Sequence, residues 1–284
     1  MLVGIAIPQA GRQADPATVR AVAQAAEQVS YASLWASDRL LGPTGVLDPL
    51  GVLTLAAGVT QRIRLGTSVL IAPWYEPVVL ARSLTTLDHL SDGRLTVGLG
   101  LGRSEDERAA VGRHGLRGSR LDEALDVLEV LWGTAEGPHD GPGGRIDASQ
   151  VALRPVQHPR PPLLLGGSSP AAQQRTGERA DGWNPDDVPV DRLRPIFAGI
   201  RRCADAAGRN PEALRMVVRT DVALAASDLP PSRAPYHGSL AQVLADLGAV
   251  REAGAHEVIL GLAGDPSLDE SLDAYARLAE GLGA

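Results

Sequence analysis

The sequence predicts an α/β protein, a (β/α)8 TIM barrel of parallel strands with an insertion before its fifth strand. Three observations lead there. Short apolar, β-branched runs alternate with amphipathic helical stretches along the chain. The runs are near-continuously apolar, which suits strands covered on both faces and joined by helical crossovers. Eight strand–helix repeats can be read in order, and 284 residues suit one such barrel, so residues 1–284 are expected to form a single domain.

The first strand is Val3 to Ile7, closed by Pro8-Gln9-Ala10-Gly11. Asp15-Pro16 opens a helix with the apolar stripe Val19, Val22, Ala23, Ala26 and Val29. Leu34-Trp35-Ala36-Ser37 is the second strand, followed by Asp38-Arg39 and a loop to Asp48-Pro49, which caps a helix ending near Gly58. The unit from Ile63 to Arg103 organises the rest. Ile63 to Leu70 and Leu95 to Gly100 are strands three and four, and Pro77 starts the helix between them, which Ser91-Asp92-Gly93 ends. A charged connection from Arg103 to Ser119 leads into a helix carrying Leu121, Ala124, Leu125, Leu128 and Leu131.

From Gly133 to Pro162 glycine and proline crowd together and periodicity is lost, which marks an excursion off the barrel. Leu163-Leu164-Leu165 is the fifth strand and runs through Gly166-Gly167-Ser168-Ser169 into a helix. Gly182-Trp183-Asn184 is the sixth, Met216 to Leu224 the seventh and His256 to Leu262 the eighth, with helices at Leu193 to Ala207, Leu240 to Ala253 and Leu268 to Leu282.

Composition excludes several chemistries. All 27 basic residues are arginine, so a Walker-A phosphate loop, a pyridoxal Schiff base and a lysine-dependent aldolase each lack their amine. A net charge of −7 with dispersed arginines argues against a nucleic-acid partner. The six histidines show no paired metal-ligand spacing and Cys203 stands alone, so no metal site and no internal disulfide are expected. No run reaches the roughly 18 apolar residues of a membrane span, and Met1 leads straight into a strand without a basic leader, so a soluble cytoplasmic protein is expected.

In a barrel of this kind chemistry sits in the loops after the strands. Gly166-Gly167-Ser168-Ser169 suits a phosphate: glycines let backbone N–H groups approach, serines donate, and the helix N-terminus favours an anion. A turn with a serine N-cap and no ligand has the same sequence. Gly98-Leu99-Gly100-Leu101-Gly102-Arg103 follows a strand but opens no amphipathic helix, so it is no dinucleotide loop; close packing of backbone against a planar ring, or against a bulky neighbouring strand, accounts for it. Asp38-Arg39 is either a reactive pair or an ion pair or cap. Glu105-Asp106-Glu107-Arg108 reads as a solvated helix start, and Trp74-Tyr75 as a cofactor wall or as rim packing.

Taken together, Ser33 to Leu41, Leu65 to Pro73, Ala81 to Asp88, Gly93-Arg94-Leu95, Gly98 to Arg103, Arg120 to Ala124, Gly166 to Ala172 and Ala180 to Trp183 resemble the luciferase-like flavin and deazaflavin oxidoreductases. The likeness is to the actinobacterial branch that uses coenzyme F420. It implies a tricyclic ring near the ends of strands three and four, backed by a cis Ser68-Val69 peptide, with the phosphate at Gly166, Gly167, Ser168 and Ser169. Pro8, Ser68, Val69, Gly100, Leu101, Gly102 and Arg103 are the further cofactor contacts it implies, and Asp38 and Arg39 the catalytic residues. Two departures stand out. Arg39 occupies the place of the histidine that follows the strand-two Asp in alcohol and sugar-phosphate dehydrogenases of this family, and Arg103 that of a glutamate. The loop from Leu41 to Asp48 is also shorter, which opens the pocket. The expected activity is hydride transfer between a deazaflavin and a small organic substrate, in a chain that pairs as a homodimer. An FMN-dependent monooxygenase and a non-catalytic flavin-binding accessory protein are the alternatives.

Overall fold

The computed structural model describes residues 1–42, 44–112, 117–135, 137–142, 144–147, 149 and 152–283. The parts of the 41–48, 103–119 and 133–162 connections that fall elsewhere lie outside the described residues.

The strands are β1 (Leu2–Ala6), β2 (Ser33–Ala36), β3 (Arg64–Thr67), β4 (Leu70–Ile71), β5 (Leu95–Gly100), β6 (His139–Gly141), β7 (Gly144–Ile146), β8 (Leu163–Leu165), β9 (Gly182–Trp183), β10 (Arg215–Leu224), β11 (His237–Gly238) and β12 (Glu257–Leu262). The helices are α1 (Pro16–Gln28), α2 (Pro49–Ala57), α3 (Pro77–Leu90), α4 (Glu105–Ala110), α5 (Arg117–Trp132), α6 (Pro170–Arg179), α7 (Val190–Ala206), α8 (Leu240–Glu252) and α9 (Leu268–Leu282). Strands β1, β2, β3, β5, β8, β9, β10 and β12 pair in that order, all parallel, and β12 pairs back to β1. This is the eight-stranded barrel that the strand–helix alternation predicts.

Helix starts follow the side chains. Asp15 and Asp48 accept backbone N–H groups ahead of Pro16 and Pro49, and Ser239 and Ser267 form capping boxes with Gln242 and Glu270. The helices bury Val19, Leu53, Leu84, Leu125 and Leu278 against the outward strand residues Ile5, Leu34, Leu65 and Val97. Each such side chain contributes about 1.5–3 kcal/mol.

Inside the barrel the side chains form tiers. At the lower end, Trp35 Nε1 donates to Ser33 Oγ at 2.6 Å and to Glu257 Oε1 at 3.1 Å, Ser33 Oγ bonds the same carboxylate oxygen, and Arg64 Nη2 donates to Thr96 Oγ1 at 2.9 Å. The middle tier is Trp35, Leu164, Val217 and Ile259, with Ala6 packed against it. The Trp35 indole has room because its register partner Gly66, like Gly4, lacks the Cβ that would strike it. These side chains fill the bore, and of this tier Ala6 reaches the cavity above.

Two expectations change. The third strand is not continuous to Leu70: the cis Ser68-Val69 peptide that the resemblance implies is present and separates β3 from β4, and both segments pair with β5. Thr67 bridges the break, its hydroxyl donating to Gly98 O and accepting from Gly98 N, both at 2.8 Å. The 133–162 excursion carries an antiparallel hairpin, with His139 opposite Ile146, whose three-residue strands are too short to leave a period. Among the described residues no helix is long and apolar enough to cross a membrane, and no cluster could hold a metal ion.

Candidate functional site

The C-terminal ends of the strands open into a cavity of about 1030 Å³. Pro8, Asp38, Arg39, Ser68, Val69, Gly100, Leu101, Gly102, Arg103, Gly166, Gly167, Ser168 and Ser169 all line it, although they come from the ends of β1, β2, β3, β5 and β8.

One wall is the segment from Thr67 to Ile71. Ser68 Oγ donates to Asn184 Oδ1 at 2.8 Å, Asn184 Nδ2 donates to Val217 O at 2.7 Å, and Ser37 Oγ donates to Ser68 O at 3.2 Å. The β5 glycines are spaced to receive this segment. A Cβ on Gly98 would meet the Thr67 carbonyl, one on Gly100 would stand 2.5 Å from Val69 Cγ2, and one on Gly102, whose φ is +68°, would stand 2.8 Å from Ile71 Cγ2. These glycines thus accommodate the neighbouring strand, and Gly100 and Gly102 also line the cavity.

Asp38 stands at the end of β2. Its Oδ2 accepts from Tyr75 Oη at 2.8 Å and Ile71 N at 3.1 Å, while among the described residues Oδ1 has no partner. Burial pushes its carboxyl above the ordinary carboxylate range; the Ile71 and Tyr75 hydrogen bonds oppose this, and the charges of Asp48 and Glu107 add to it. The Asp38–Arg39 ion pair allowed by the sequence does not form. Arg39 is exposed, lines the cavity, and has no ion-pair partner among the described residues. Tyr75 serves Asp38 rather than the cavity wall, whereas Trp74 lines the cavity.

The solvated helix start at Glu105 to Arg108 needs correcting at Glu107 and at Arg108, whose side chain is only 14% exposed. Glu107 is 8% exposed, and its Oε1 accepts from Leu40 N at 2.9 Å and Leu41 N at 3.0 Å, the two N–H groups that follow Arg39. Acidic residues suit a helix N-terminus in any case, so their pattern does not reveal that one of them reaches another loop.

Next to β5 lies the turn after β8. Trp183 Nε1 donates to Gly167 O at 2.7 Å, Gly167 has φ +92°, and Ser169 Oγ caps α6 by accepting from Ala172 N at 3.2 Å. Arg175, in the second turn of α6, lines the cavity and holds Asp122 through two bonds of 2.5 and 2.9 Å. That pairing pulls the Asp122 carboxyl down. Because β8 lies between β5 and β9, the contacts of Arg103 with Asp186 and Asp187, at 3.5 and 3.7 Å, reach across this turn.

Arg219 of β10, Asn184 after β9 and Glu107 are among the cavity residues whose place there sequence patterning does not reveal. A lone arginine inside the apolar run Met216 to Leu224 was the available sign. Two cavity-lining side chains keep a buried N–H without an acceptor among the described residues, Trp74 Nε1 and Arg219 Nε. Each unmet donor costs about 1–3 kcal/mol. A planar ring edged with carbonyl acceptors suits these donors, and a phosphate suits the backbone of Gly166 to Ser169, so the residues present fit a flavin-type cofactor.

The luciferase-like monooxygenase family model matches residues 1–229. The chain belongs to that family. It is 35% identical over 241 residues to an uncharacterized protein of Mycobacterium tuberculosis, covering 82% of this chain and 75% of that one. It is 30% identical over 200 residues to an F420-dependent hydroxymycolic acid dehydrogenase of the same organism, covering 68% of this chain and 55% of that one. The fold matches that of the monooxygenase RslO1 from Streptomyces bottropensis with a TM-score of 0.86 at 21% identity, covering 99% and 98% of the two chains. The protein is thus a flavin- or deazaflavin-dependent oxidoreductase of the luciferase-like family.

Proposed function

We propose that the protein reduces a small carbonyl-bearing organic substrate with a hydride from the deazaflavin coenzyme F420. The observation that carries this reading is the presence, side by side in the cavity lining, of a desolvated carboxyl at Asp38 and the guanidinium of Arg39, which has no ion-pair partner among the described residues. The dehydrogenase relative named above supports the choice of cofactor.

Arg39 orients the substrate through its carbonyl or an anionic group; as a guanidinium it cannot act as a base near neutral pH. A cofactor held here would supply the hydride, two electrons with one hydrogen, to the carbonyl carbon. Asp38 supplies the proton to the oxygen, so C=O becomes CH–OH and water reprotonates the carboxyl. Gly166 to Ser169 would hold the phosphate, and the Ser68-Val69 wall would back the ring. The closed bore below Trp35 keeps bulk water out from beneath.

The test is titration of the purified protein with coenzyme F420 and with FMN, followed by turnover of each reduced form with carbonyl compounds under argon and in air. Substrate-dependent oxidation of reduced coenzyme F420 under argon is the expected result. Oxygen-dependent turnover with reduced FMN alone would instead make this an FMN-dependent monooxygenase, and stoichiometric binding without turnover an accessory protein.

A further inference from the structure

Alternate residues of β10 point into the barrel. Val217 belongs to the tier that closes the bore, so Arg219, two residues on, is the first β10 side chain above that floor. Its Nη1 donates to Ser37 Oγ at 2.5 Å and to Ser68 O at 3.4 Å, the carbonyl of the cis peptide that forms the cavity wall. Its Nη2 lies 3.6 Å from Asp221 Oδ1, and the two side chains are 20% and 57% exposed. Nε is buried with no acceptor among the described residues. A half-enclosed cation thus stands beside the wall with one donor unused and a single, solvent-facing counter-charge.

We propose that Arg219 sets the balance between the oxidised and reduced forms of the bound ring in favour of the reduced form, with Asp221 as its counterweight. The inference rests on the reading that a flavin-type ring lies against Ser68-Val69. Hydride uptake brings two electrons and one proton to the ring and so adds one unit of negative charge, which the ring gives back with the hydride when the substrate carbonyl takes it. A fixed positive charge in a partly desolvated site favours the more negative form, and a neighbouring carboxylate weakens that preference. Flavins and deazaflavins both gain one unit of negative charge on hydride uptake, so the role is the same for either.

The experiment uses the full chain and the variants Arg219→Gln, Arg219→Lys and Asp221→Asn. Dissociation constants are measured for the separately prepared oxidised and reduced forms of coenzyme F420 and of FMN, by optical titration under argon. For the cofactor that the wild type binds, Arg219→Gln lowers the ratio of oxidised to reduced Kd about tenfold, equivalent to a potential about 30 mV lower for a two-electron couple. Arg219→Lys keeps its charge and holds the ratio within roughly threefold of wild type. Asp221→Asn raises the ratio. Equal loss of affinity for both forms in Arg219→Gln would mean a structural role only and overturn the proposal, as would an unchanged ratio. Should that variant fail to fold, Asp221→Asn decides: an unchanged or lowered ratio overturns it. A wild type that binds neither ring removes the functional reading itself, whereas wild-type binding with an unmoved ratio removes the role of Arg219 alone.

Discussion

Val69 Cγ2 occupies the space beside Gly100 so closely that a Cβ there would stand 2.5 Å from it. Gly100→Ala therefore destabilises the fold by about 1–3 kcal/mol, the usual cost of overpacking. Val69→Ala in the same chain relieves most of that cost, because the obstacle is a side chain. Gly98→Ala, whose obstacle is the Thr67 carbonyl, is costlier and Val69→Ala does not rescue it. Urea unfolding of the singles and doubles reads the coupling.

Glu107 holds the backbone after Arg39. In Glu107→Ala the amides of Leu40 and Leu41 lose their carboxylate acceptor and exchange with deuterium at least about tenfold faster, the equivalent of about 1.4 kcal/mol and within the worth of charge-assisted hydrogen bonds. Glu107→Gln keeps a carbonyl acceptor and lies between. Amides that exchange at wild-type rates in Glu107→Ala would show that the carboxylate does not fix this loop.

These residues show where the sequence is legible. A strand buried on both faces announces itself by composition, and Leu163-Leu164-Leu165 or Glu257 to Leu262 need no tertiary knowledge to be placed. The glycines at 98, 100 and 102 could be seen to make room for something, but not for what, because their partner is thirty residues away and takes its shape from a break at Ser68. The contacts of Glu107 and Arg219 leave no mark in the local pattern. A charge that lands against another loop or above a barrel floor is set by packing, and single-sequence periodicity carries no record of it. The 139–146 hairpin escaped for a simpler reason, since three residues do not make a period.

Asp38 holds its proton above the ordinary carboxylate range because it is buried. Substrate reduction therefore proceeds at full rate while that proton is present and slows as pH rises through the raised pKa. Asp38→Asn still accepts from Tyr75 and Ile71, so it folds, yet it loses this limb of the pH profile and about 10²–10⁴ in rate. A wild-type profile that rises over the same interval would rule out Asp38 as the acid.

Ser168 and Ser169 separate fold from binding. Ser169→Ala removes the α6 N-cap and costs about 1 kcal/mol of stability. Ser168→Glu, at an exposed position beside the turn, leaves stability within about 0.5 kcal/mol but weakens cofactor binding by placing a like charge beside the phosphate. Thermal melts alongside cofactor titrations distinguish the two, and undiminished affinity in Ser168→Glu would move the phosphate elsewhere.

Glu257 gives the lower tier a dependence on pH. Burial raises its carboxyl above the usual value, against the opposing hydrogen bonds of Ser33 and Trp35. The folded state thus binds this proton more tightly than the unfolded chain does. The resulting stability is fully present below the unfolded pKa and is lost as pH rises through the folded one. Glu257→Gln, with a carbonyl still able to accept from Trp35, removes that slope and is at least as stable as wild type at neutral pH. Chemical denaturation at several pH values from acid to neutral measures it.

The Trp35 tier turns the cavity into a cul-de-sac. With the lower end of the barrel filled among the described residues, whatever enters the cavity and whatever leaves it pass at the C-terminal ends of the strands, on the side where Arg39 and Arg103 stand.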